Sequence, residues 1–128
     1  MPLRLYPLLI LFIHVFFKYG LEVFTVHIED FQPKQEFDVI TMRHILEHIE
    51  NSLTVLDKLR SILSDYGVLL VTLPNINFIG RYVFQELWEW ILPWHLHFYQ
   101  PQTILRLLER SGFESLRIYQ TPSPFWYP

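Results

Sequence analysis

His44, Glu47 and His48 stand in the string H-I-L-E-H and carry the side chains that catalysis and metal binding use most. On a helix, positions i, i+3 and i+4 share one face. The string spells H-x-x-E-H, a pattern in which two histidines hold zinc and the glutamate acts as general base. That reading needs a further ligand, which His95 or His97 in P-W-H-L-H-F-Y-Q-P would supply. In an extended segment His95 and His97 share one side, because side chains alternate along a strand. Either imidazole can order a substrate or move a proton near neutral pH. The competing reading is structural. The first three residues then cap and hydrogen-bond a turn between strand and helix, and the later two pack among aromatics. So short a string is more often of that second kind. No metal ligand is therefore assigned, and zinc binding is kept as the lesser alternative. The chain has no cysteine, which excludes disulfides, thiolate catalysis and Cys-type zinc sites. It holds no P-loop and no G-x-G-x-x-G, and no Ser–His–Asp arrangement can be assigned.

The elements that must position these residues surround the string. Two apolar runs, 39–42 and 68–73, flank an amphipathic segment with Val55, Leu56, Leu59, Ile62 and Leu63 on one helical face. Runs that are apolar on both faces suit strands of a covered parallel sheet. Asn51 can cap the helix start, and Gly67 can end the helix with φ above zero. A parallel pair needs such a crossover. Both strands then finish on one edge, where Met42, Arg43 and His44 leave the first and Pro74 and Asn75 leave the second. That carboxyl edge is where open α/β sheets bind ligands. The pattern predicts strands over 21–28, 37–42, 68–73 and 113–119, with a helix over 52–64 crossing between the second and third.

The remaining chain is read in the same way. Residues 1–19 form a hydrophobic segment. Its apolar run 8–17, broken only by His14, is too short for an ordinary membrane span, and no A-x-A-like cleavage site follows it. A helix that packs inward and stops at Gly20 is the preferred reading, over a signal or an anchor. Residues 76–92 are aromatic and helical in pattern, with Phe84, Leu87, Trp88 and Ile91 on one face. A second clear helix begins at Pro101, turns Ile104, Leu105, Leu107 and Leu108 inward, and ends in a Schellman motif at Ser111–Gly112–Phe113. The tail 121–128 holds three prolines and should be irregular.

The 128 residues are 51% hydrophobic and 17% aromatic, enough for one modest core. The net charge of −3, with no basic run, argues against a nucleic-acid partner. Absence of cysteine is compatible with a cytoplasmic location. Apolar surface at 8–17 would suit membrane contact, and exposed apolar patches favour oligomers or aggregation.

Taken together, F-D-V-I, H-I-L-E-H-I, L-D-K-L-R-S-I-L and G-V-L-L-V-T-L-P-N, followed by P-W-H-L-H-F-Y-Q-P-Q-T-I-L-R-L-L-E-R-S-G-F, resemble the class I S-adenosylmethionine (SAM)-dependent methyltransferases. The nearest group is the small-molecule methyltransferases with an H-x-L-E-H turn, and the resemblance covers residues 20 to 119. It implies SAM as cofactor and a small-molecule methyl acceptor as substrate. By that likeness 37–42 is similar to the family's fourth strand, 68–73 to its fifth and 21–28 to its third. His27 and Ile28 would lie near the adenine, Met42 and Arg43 near the methionine part of the cofactor. His44 and His95 would face the methyl acceptor as catalytic residues.

The departures from the family are also definite. Its first strand with the glycine-rich loop, and its second strand with the acidic residue for the ribose, have no counterpart here. The usual K-P-G-G turn is Ser64–Asp65–Tyr66–Gly67, and His27 stands where an Asp or small polar residue is frequent. The expectation is a partial Rossmann-like α/β sheet in three layers, lacking the first two strands, with residues 1–19 as an added segment and 20–128 as the C-terminal part of a methyltransferase domain. A truncated or mis-started reading frame would give such a chain, weak or inactive by itself. Whether it acts as an enzyme is left open, with a non-enzymatic module attached to a membrane or partner as the alternative.

Overall fold

The computed structural model describes residues 18–77, 82 and 93–120, which fall into two compact units divided between Phe31 and Gln32. In the first, Lys18 and Tyr19 are helical and Gly20 follows at φ 65, the left-handed conformation of a helix-ending glycine. The segment 8–17 lies outside the described residues. The strand expected over 21–28 does not form. Residues 21–27 run irregularly into a 3-10 helix, Ile28–Asp30. Leu21, Phe24 and Val26 are exposed. An alternating run becomes a strand only where a neighbour takes its N–H and C=O groups, and among the described residues none does.

The second unit holds the βαβ pattern. Strand β1 (Phe37–Arg43) leads through a 3-10 turn (Leu46–His48) to helix α1 (Ser52–Ile62), and strand β2 (Leu63–Thr72) returns parallel to β1. Asn51 caps α1, its Oδ1 accepting from the Thr54 N–H at 3.3 Å. Val55, Leu56, Leu59 and Ile62 recur on one face and are buried, together with Met42, Leu46 and Leu63. Full burial of each such side chain is worth about 1.5–3 kcal/mol, so this cluster is the main stabilising element.

Gly67 does not end the helix. Chain direction changes between Ile62 and Leu63 with no intervening loop, and Gly67 lies inside β2 without a positive φ. Its role is space. A Cβ there would stand 2.6 Å from Leu63 Cγ and 3.0 Å from the Phe37 carbonyl oxygen. The close approach occurs where the register slips, Phe37 facing Leu63 but Val39 facing Val68.

The two faces of the sheet differ. Met42 is buried and its neighbours Ile40, Leu69 and Val71 are half-buried, whereas Val39, Val68 and Leu70 on the alternate face are 56%, 50% and 54% exposed. The described residues therefore build two layers, not the three expected.

Helix α2 (Pro101–Arg110) starts with Pro101 in its first turn and buries Ile104. Its end is the expected Schellman motif: Phe113 N–H donates to Leu108 C=O at 3.1 Å and Gly112 N–H to Glu109 C=O at 3.0 Å, with Gly112 at φ 78. The strand expected over 113–119 is absent. Ser115 at φ 54 turns the backbone out of the extended region there. Ile76 and Asn77 form a turn; the rest of the 76–92 helix, residue 82 apart, and the tail 121–128 lie outside the described residues. Among those residues no helix is long and apolar enough to cross a membrane.

Candidate functional site

The parallel register brings both strand ends to one edge, with Arg43 level with Thr72. The His44 N–H donates to the Thr72 carbonyl at 3.0 Å and extends the ladder by one residue. His44 then takes φ 51, a left-handed conformation in which histidine is enriched among non-glycine residues. That reversal carries the chain into the Leu46–His48 turn. H-x-x-E-H is thus a strand exit followed by one 3-10 turn, not an α-helical face. The left-handed turn at His44 brings its ring back toward the 3-10 turn, and His44 Nδ1 lies 3.4 Å from Glu47 Oε1.

Glu47 is 1% exposed, the most deeply buried charged side chain among the described residues. Neither carboxylate oxygen takes a hydrogen bond from a described residue. Burial of an ionised carboxylate is costly without a cation or donors beside it, which makes the His44 imidazole its natural partner. The Glu47 backbone does a second job. Its carbonyl accepts from the Leu96 N–H at 2.8 Å and the His97 N–H at 3.2 Å, holding the second histidine segment against the turn.

Side chains add to that clamp. His48 Nδ1 lies 3.0 Å from the Trp94 carbonyl. Because a carbonyl only accepts, the proton sits on Nδ1, and Nε2 of the neutral ring keeps its lone pair. The His48 and His95 rings meet edge-on at 4.7 Å, and Phe98 lies 6.1 Å from His95. His95 is buried. His97 takes a different place: its Nε2 lies 3.1 Å from the Glu50 carbonyl and its ring 5.9 Å from Tyr99. The shared side expected of an extended segment is thus divided between His48 and Glu50, since residues 95–98 form no strand.

Two residues that sequence reasoning missed complete the surroundings. Tyr99 and Ser52 share a buried hydroxyl–hydroxyl bond of 2.7 Å. Burial pushes the Tyr99 phenol above its ordinary value, the Glu47 charge adding to that and the Ser52 bond opposing it. Nothing local in the sequence pairs them, since the contact joins the start of α1 to the approach to α2. Tyr99 also bridges to Asn75 beyond β2. Beside it lies a cleft of about 360 Å³ lined by Asn51, Ser52, His97, Tyr99, Arg106 and Arg110, among others.

The remaining candidate residues are placed as follows. Arg43 ends β1 with its side chain exposed, whereas Met42 is 6% exposed and offers the edge its backbone. His27 and Ile28 belong to the first unit, His27 exposed and Ile28 half-buried.

A family model described as methyltransferase domain matches residues 14–118. None of the curated proteins compared with the chain matches it.

Proposed function

The chain belongs to the methyltransferase-domain family, and we propose that it serves the transfer of a methyl group from SAM to an oxygen, nitrogen or carbon nucleophile of a small molecule. The observation that carries this reading is the shared edge, where β1 and β2 end side by side and the His44 turn draws the His95 segment onto it. When bound, the cofactor supplies an electrophilic methyl group on a positively charged sulfur.

The chain's own residues position and deprotonate. Arg43 and the Met42 backbone take the methionine part of the cofactor. His44 and His95 face the acceptor. An imidazole suits removal of a proton from a hydroxyl or amine near neutral pH. Much of the acceleration in such a reaction comes from holding nucleophile and methyl group in line.

The four glycines of the sequence, Gly20, Gly67, Gly80 and Gly112, are scattered and form no glycine-rich loop. Such a loop lets backbone approach a ligand closely, so these 128 residues hold SAM weakly when alone. Calorimetry with SAM on the purified chain tests this, and micromolar affinity would contradict it.

A second reading rests on the exposed sheet face. Val39, Val68 and Leu70 with the neighbouring Tyr66 present apolar surface among the described residues, of a kind that marks interfaces. In that reading the chain is a partner-dependent module. Sedimentation of the purified chain separates the two, because a strictly monomeric species at high concentration argues against it.

A further inference from the structure

We propose that Glu47, His48 and His95 form a binding site for a divalent transition metal, zinc by its ligand chemistry. The donor atoms of these three residues all lie within 4.8 Å of one another. A tetrahedral zinc with bonds of 2.0–2.1 Å sets its donors about 3.3 Å apart, so small side-chain rotations close the set around an ion. The ligands come from two segments that backbone bonds from Leu96 and His97 to the Glu47 carbonyl already hold together.

Two further observations point to a cation. The first is the Glu47 carboxylate, 1% exposed, with no hydrogen bond to either oxygen from a described residue. Its recorded polar neighbour is His44 Nδ1 at 3.4 Å, and a metal ion would compensate the buried charge more fully. The second is the His48 tautomer. Nδ1–H donates to the Trp94 carbonyl, the outer bond that metal-binding histidines commonly make, and Nε2 is left as the ligand atom.

The donor set selects the metal. Two imidazoles and one carboxylate suit zinc, and three protein ligands leave a fourth position for water or substrate. Magnesium and calcium prefer oxygen donors throughout. The assignment differs from the one the string alone suggests, since Glu47 becomes a ligand, not a base, and His44 stays outside the set; with His95 on the metal, His44 is the imidazole left to take a proton from the acceptor. The metal assignment does not depend on SAM binding or on methyl transfer.

The test is zinc content of the full chain after equilibration with zinc chloride and removal of excess, measured by elemental analysis. The site is confirmed by cobalt(II) substitution, whose absorption reports tetrahedral geometry. Expected is one equivalent of zinc, lost in Glu47→Gln, in His95→Ala and in the exposed-position variant His48→Ala, and retained in His97→Ala and His27→Ala. Circular dichroism of each variant shows that loss of metal is not loss of fold. Absence of stoichiometric zinc from the unaltered chain would overturn the proposal. So would zinc that survives Glu47→Gln and His95→Ala, or that disappears equally in His97→Ala.

Discussion

The hydroxyl groups of Ser52 and Tyr99 lie 2.7 Å apart in a buried hydrogen bond that ties the first residue of α1 to the segment entering α2. Ser52 Oγ also donates to the Ile49 carbonyl at 3.4 Å, and with that single proton spent the Tyr99 O–H is the donor to Ser52 Oγ. Tyr99→Phe removes that donor and should cost about 1 kcal/mol, a drop of a few degrees in Tm. The same residue gives the fold an alkaline limit. Burial raises its phenol above the unfolded value of 10.0. Its contribution is therefore complete below that value and is lost as pH rises through the higher folded value. Thermal melts at increasing alkaline pH should show this loss in the unaltered chain and not in Tyr99→Phe.

Gly67→Ala tests the close approach of β2 to Leu63 and Phe37. A Cβ would meet Leu63 Cγ at 2.6 Å and Leu63 Cδ1 at 2.9 Å. Overpacking of this kind costs about 1–3 kcal/mol. In a Leu63→Ala background, itself destabilised by loss of a buried side chain, the further cost of Gly67→Ala should be smaller, because the Leu63 atoms are then gone. Denaturant midpoints in the two backgrounds give the comparison, and an unchanged midpoint in Gly67→Ala would refute the packing account.

Asn51→Ala removes the acceptor for the Thr54 N–H and should destabilise α1 by about 0.5–1 kcal/mol, while Asn51→Gly should cost only a few tenths. The 3.3 Å length of the bond places the effect toward the lower end. Urea unfolding distinguishes the two variants, and equal losses would show that the side chain is not what caps the helix.

What could be read in the sequence follows from which signals are local. Pro101, Gly112 and Phe113 act on backbone groups a few residues away, and α2 with its Schellman ending formed as expected. The same holds for Asn51 and for the parallel strands joined by α1. The stretches 21–28 and 113–119 failed for a non-local reason. Their composition permits a strand, but Val26 and Phe24 find no ladder, and Ser115 leaves the extended region. Gly67 was assigned the conformational role glycine often plays at helix ends, whereas Leu63 and Phe37 set its actual constraint. In the site, His44 and Glu47 do meet, but through the left-handed turn at His44 and not through the helical face that their spacing suggested. The choice of His95 over His97 as the neighbour of His48 depends on how the Glu47 carbonyl grips the later segment, which no spacing encodes.

The central claim is that the common edge of β1 and β2 faces SAM. The most direct measurement is a titration of isotopically labelled chain with SAM, followed by backbone amide resonances. The account predicts weak binding, with shifts concentrated at Arg43, His44, Leu73 and Asn75. Saturation with SAM that leaves those amides unmoved would contradict it.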